Sequence, residues 1–135
     1  MSGAGEALAR AAEALVGTPF RLHGRDPGRG LDCVGLVAAS LAAIGRAAPA
    51  PMRYGLRNTD IAAALRFAAG AGLIETDGPV RPGDVLLARP GPAQHHLLVA
   101  ASGGHFIHAH AGLRRVVATP GPPAWPILHH WRLGA

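Results

Sequence analysis

The apolar residues of this chain change their period once, and that change constrains the fold more than any other feature. Up to about residue 78 they recur at steps of three and four, the spacing of amphipathic helices. An Ala-rich segment over residues 4–16 is the first, stopped by Gly17-Thr18-Pro19. A second starts at Asp32 or a neighbour and runs to about Gly45, with Val34, Val37, Leu41 and Ile44 as apolar members. Thr59 and Asp60 mark the start of a third, with Ile61, Leu65 and Phe67 on its apolar side and Gly70 near its end. Residues 20–31 and 49–57 read as irregular, turn-rich connections. Beyond Gly78 the pattern becomes one of short strands, at 84–88, 97–101, 106–110, 116–118 and 127–133. Helices followed by a run of strands predict an α+β fold, with N-terminal helices packed on an antiparallel β-sheet.

A length of 135 residues suits one domain spanning 1–135, large enough to bury a real core. No apolar run reaches the length of a membrane span. The formal charge is +5 and every basic residue is Arg, but these are scattered without aromatic interleaving, so a nucleic-acid partner is not expected. Residues 2–16 carry Glu6, Arg10 and Glu13, unlike the basic start and uncharged core of an export signal. Synthesis in the cytoplasm without such a signal is therefore expected.

The lone cysteine excludes an internal disulfide. Most such residues are small core side chains. Cys33, however, falls in Gly30-Leu-Asp-Cys-Val-Gly-Leu-Val37, at the first turn of the second predicted helix. Free N–H groups and the helix dipole favour negative charge there, and a thiolate is the reactive form of cysteine. Asp32 is placed to cap that helix, and Gly35 lets another element approach closely one turn in.

Eight histidines dilute any single assignment, but residues 94–110 hold five of them in what reads as a hairpin turning at 102–104. The loop length decides which can meet. A two-residue loop would put His96 and His108 on opposite faces. A three-residue loop would pair Ala101 with His105 and place His96, His108 and His110 on one face. There one imidazole serves as a base for the thiol and a second polar group holds its tautomer. His96 is the base in this reading, with either His108 or His110 behind it. The same three rings could instead hold zinc in a metal-dependent hydrolase.

Three pieces in order resemble the NlpC/P60 family of cell-wall cysteine peptidases. They are Gly17-Thr-Pro-Phe20 leading to Leu31-Asp-Cys-Val-Gly-Leu36, then Arg81-Pro-Gly-Asp-Val-Leu86, then His96-Leu-Leu-Val99 followed by Phe106-Ile-His-Ala109. The resemblance implies a papain-like fold without cofactor or metal. It also implies a Cys33–His96–His108 triad, and so selects the same-face hairpin and prefers His108 to His110. Cys33 and His96 are expected to exist substantially as a thiolate–imidazolium pair. The implied reaction is hydrolysis of amide bonds in peptidoglycan stem peptides, between D-glutamate and diaminopimelate. Asp32, Phe20 and Val34 match positions that hold the substrate. Val34 replaces the usual Ser, Phe20 the usual Tyr, and Leu22 stands where an aromatic is common. The short chain also resembles family members of phage tails, which would deliver it to the cell wall. The altered substrate positions fit an alternative role as a non-catalytic structural or wall-binding part of such a tail-like assembly.

Overall fold

The structure, a computed structural model, describes residues 3–46, 62–91 and 94–134. Its elements run in the order α1 (Gly3–Glu13), β1 (Arg25–Asp26), β2 (Gly30–Leu31), α2 (Cys33–Ala43), α3 (Ala62–Gly70), β3 (Leu73–Glu75), β4 (Val85–Ala88), β5 (His96–Ala100), β6 (His105–His110), β7 (Arg115–Pro120) and β8 (Ile127–Leu133). The expected start of the third helix at Thr59 and Asp60, and the connection over 49–57, lie outside the described residues. The predicted irregular loop over 20–31 contains the two-residue ladder of β1 and β2, too short to leave an alternation in the sequence.

Strands β3 to β8 form one antiparallel sheet in the order β3-β8-β4-β5-β6-β7. Helices come first and the sheet follows, as the change of period predicts. The C-terminal strand β8 inserts between β3 and β4, a crossover that no local pattern announces.

Strand β4 is buried along its whole length, because both faces of the sheet are covered there. On one face Val85, Leu87, Leu97, Val99 and Ile107 pack with Leu8, Leu36, Val37 and Leu41 of the helices. On the other, Leu86, Ala88, Leu98, Ala100 and Phe106 form a smaller cluster against Trp125. Helix α2 is correspondingly apolar around more of its circumference than the predicted stripe, since Leu36, Gly35 and Ser40 are buried as well. The Ser40 hydroxyl satisfies itself by donating to the Leu36 carbonyl at 2.7 Å.

Two buried carboxylates fasten this framework, one at each end. Asp32 caps α2, its Oδ1 accepting the Gly35 N–H at 2.8 Å. Its carboxylate also accepts from the His23 N–H at 2.8 Å and from Arg25 Nη1 at 3.0 Å, fastening the segment that enters β1 to the helix start. Gly35 is required there because a Cβ would overlap the Gly24 carbonyl, the close approach its position predicts. Asp84, in the Pro-Gly-Asp turn before β4, plays a similar part at the other end. It is buried, and it accepts from Arg132 Nε at 2.9 Å, Arg132 Nη2 at 2.8 Å, His130 Nε2 at 2.6 Å and the Arg81 N–H at 2.9 Å. Burial alone would raise its pKa, but the Arg132 and His130 donors hold it below the usual carboxylate value.

Candidate active site

The hairpin of β5 and β6 settles which histidines meet. Val99 pairs with Ile107 and Ala100 with Phe106, and the Ala101 N–H donates to the His105 carbonyl at 2.8 Å. The connection is therefore the three-residue loop 102–104. Gly103 at φ 74° and Gly104 at φ 76° occupy the left-handed region, which residues with a Cβ rarely adopt. With this register His96, His108 and His110 share a face with Leu98 and Phe106, the face away from the helices.

His96 is the first residue of β5, so its ring stands at the end of the sheet. There a cavity of about 280 Å³ opens, with a lining drawn from both sides. Cys33 and Val34 come from the start of α2, Leu97 and Ala109 from the helix-side face, and His96, His110 and Trp125 from the other. Cys33 is half-buried rather than sealed in the core, and it lines this cavity together with His96. Phe20, Asp32 and Val34 all line the same cavity, with Leu22 beside them.

His108 does not line the cavity but stands behind His96, 2% exposed. His96 Nε2 lies 3.0 Å from His108 Nδ1, with the rings edge to face and their centroids 5.1 Å apart. His108 Nε2 in turn lies 3.2 Å from Thr119 Oγ1 on β7. His110 is engaged elsewhere: its Nδ1 accepts the Leu113 N–H at 3.1 Å. Of the two rings, His108 is the one bonded to His96. Nor do the three rings converge as zinc ligands, because His96 and His108 turn nitrogens toward each other. Among the described residues no group of three or more His, Cys, Asp or Glu is arranged to hold a metal ion.

Burial works against the thiolate–imidazolium pair expected of the sequence. Burial pushes the Cys33 thiol up to about 11, with the Asp32 carboxylate adding to the rise and backbone hydrogen bonds at Leu97 and Val34 opposing it. Burial likewise lowers His96 to about 3, aided by His108 and His110. His108 falls to about 4 through burial and the neighbouring His110. Burial thus opposes the charged form at all three groups. The helix start does favour an anion, but removal from water costs the charged forms more than the helix amides return.

Two residues at the site carry no signal in the motifs. Trp125 meets His96 and His108 edge to face, with centroids 5.7 and 5.8 Å away, and forms a wall of the cavity. It comes from the loop over 121–126, whose Gly-Pro composition gives it no local assignment. Thr119 arrives through the pairing of β7 with β6, opposite Phe106.

The model described as the NlpC/P60 family matches residues 17–125, most of the chain. The chain belongs to the NlpC/P60 family. Solved structures agree on the fold. NlpC2 from Trichomonas vaginalis matches with a TM-score of 0.67 at 19% identity, over 98% of this chain and 49% of its own. The NlpC/p60 domain of the peptidoglycan hydrolase SagA matches with a TM-score of 0.59 at 25% identity, over 86% of this chain and 88% of that one. The peptidoglycan hydrolase RipB from Mycobacterium tuberculosis matches with a TM-score of 0.60 at 23% identity, over 96% and 64%. This chain spans about half the length of the two Trichomonas proteins it matches. No curated protein matches it by sequence.

Proposed function

We propose that this NlpC/P60 protein is a cysteine peptidase that hydrolyses amide bonds in peptidoglycan stem peptides, at the bond between D-glutamate and diaminopimelate. The observation that carries the reading is the His96–His108 bond at 3.0 Å, made beside a cavity that His96 shares with Cys33. With Nε2 of His96 committed to His108, the other ring nitrogen, Nδ1, is the base. The relatives named as peptidoglycan hydrolases supply the substrate class.

Burial opposes the charged forms of both Cys33 and His96, which favours a concerted first step. The thiol proton passes to His96 Nδ1 as the sulfur attacks the amide carbonyl, so the charged pair exists only once the reaction has begun. The backbone N–H of Cys33, at the first turn of α2, donates to the developing oxyanion. His96 then gives its proton to the departing amine, leaving a thioester. Water, losing a proton to His96, attacks that thioester and restores the thiol.

Asp32 is 2% exposed and already accepts from three donors, so the side chains this wall offers a substrate are Phe20, Leu22 and Val34. All three are apolar, which favours an uncharged portion of the peptide there. Incubation with a synthetic L-alanyl-γ-D-glutamyl-diaminopimelate peptide should release diaminopimelate. A Cys33→Ala protein should release none, and equal release from both would remove the assignment.

A further inference from the structure

The relay does not end at His108. His108 Nε2 lies 3.2 Å from the Thr119 hydroxyl, and the ring it belongs to is 2% exposed, so Thr119 stands in for water at that nitrogen. We propose that Thr119 is a positioning residue of the reaction: it accepts the His108 Nε2 proton and so keeps a bare Nδ1 facing His96. The role rests on the cysteine peptidase reading for its catalytic meaning, though not for its hydrogen bonds.

A chain of hydrogen bonds through two imidazoles can run in two directions. Outward, His96 Nε2–H donates to His108 Nδ1 and His108 Nε2–H donates to Thr119 Oγ1. That direction leaves a lone pair on His96 Nδ1, ready for the thiol proton. Inward, the hydroxyl donates to His108, His108 Nδ1–H donates to His96 Nε2, and the His96 proton moves to Nδ1. That ring is no base. A protonated thiol is itself a donor, so it matches only the outward direction. Thr119 makes the outward direction available by offering an acceptor at the buried end. Thr119 shares a sheet face with His108, since Val117 is directly opposite His108 and Thr119 is two residues on.

Thr119→Val keeps the shape of the side chain and removes the acceptor, whereas Thr119→Ser keeps the hydroxyl. Nitrogen-15 NMR of the imidazoles in the full chain should show His108 protonated on Nε2 in the wild type and in Thr119→Ser. In Thr119→Val a substantial population should carry the proton on Nδ1. With the stem peptide, Thr119→Val should lose about tenfold in kcat, the kinetic equivalent of one net hydrogen bond, with KM unchanged. Thr119→Ser should recover most of that loss. An unchanged His108 tautomer in a folded Thr119→Val protein would overturn the proposal. Tautomers that respond in a protein without any hydrolysis would keep this role for Thr119 and remove the peptidase reading instead.

Discussion

The protonation state of Cys33 is the feature of the site most open to attack by experiment. Cys33 is pushed from an ordinary 9.0 to about 11, so at pH 7 its thiolate is about 100-fold scarcer than that of an ordinary thiol. Alkylation by iodoacetamide, followed by intact-protein mass, reads this directly because only the thiolate reacts. The perturbation is pH, stepped from 5 to beyond 10 on the folded protein. The rate should climb about tenfold per unit through neutrality and level off only near pH 11. Restricted access would lower every rate in the series equally and leave that shape intact. A plateau already reached below pH 7 would mean a resting thiolate–imidazolium pair and would refute the claim that burial outweighs the helix start.

Other predictions follow from the same geometry. His108→Ala should reduce kcat by at least tenfold, whereas His110→Ala should stay within about threefold, since His96 bonds to His108 alone of the two; steady-state kinetics on the stem peptide decide. Asp84→Asn leaves the Arg132 guanidinium and His130 without their carboxylate, and chemical denaturation should show a loss of about 1–3 kcal/mol. His96 and His108 are lowered to about 3 and about 4 from 6.5, so below pH 6.5 the unfolded chain takes up protons that the folded rings refuse. Stability contributed by these rings is full above pH 6.5, and the melting temperature should fall steadily from there to about pH 4. A flat melting temperature across that window would show that the rings are not held neutral.

What the sequence shows of this molecule is uneven, for physical reasons. The change of period near Gly78 reveals the helices-then-sheet order because each element buries one face at its own repeat. The insertion of β8 between β3 and β4 depends on pairing between residues far apart in the chain, such as Leu73 with Leu133, and leaves no local trace. Cys33 and His96 are legible because a helix start and a hairpin are local features. The hairpin alone permits two faces for His108, and the family resemblance chooses the one that Gly103 and Gly104 make by their left-handed backbone. Thr119 and Trp125 reach the site through β7 and the loop that follows it, so nothing near the motifs points to them. The burial that opposes a Cys33 thiolate is not legible in the sequence, because the dipole of a helix start can be inferred from position, whereas desolvation depends on what the folded chain packs around the sulfur.

The most direct measurement is mass spectrometry of purified peptidoglycan after digestion by the wild-type protein and by Cys33→Ala, both verified as folded. If a sulfur at the mouth of α2 and the imidazole of His96 form the reacting pair, stem peptides cut after D-glutamate accumulate with the wild type alone. The same fragments from both proteins, or from neither, contradict it.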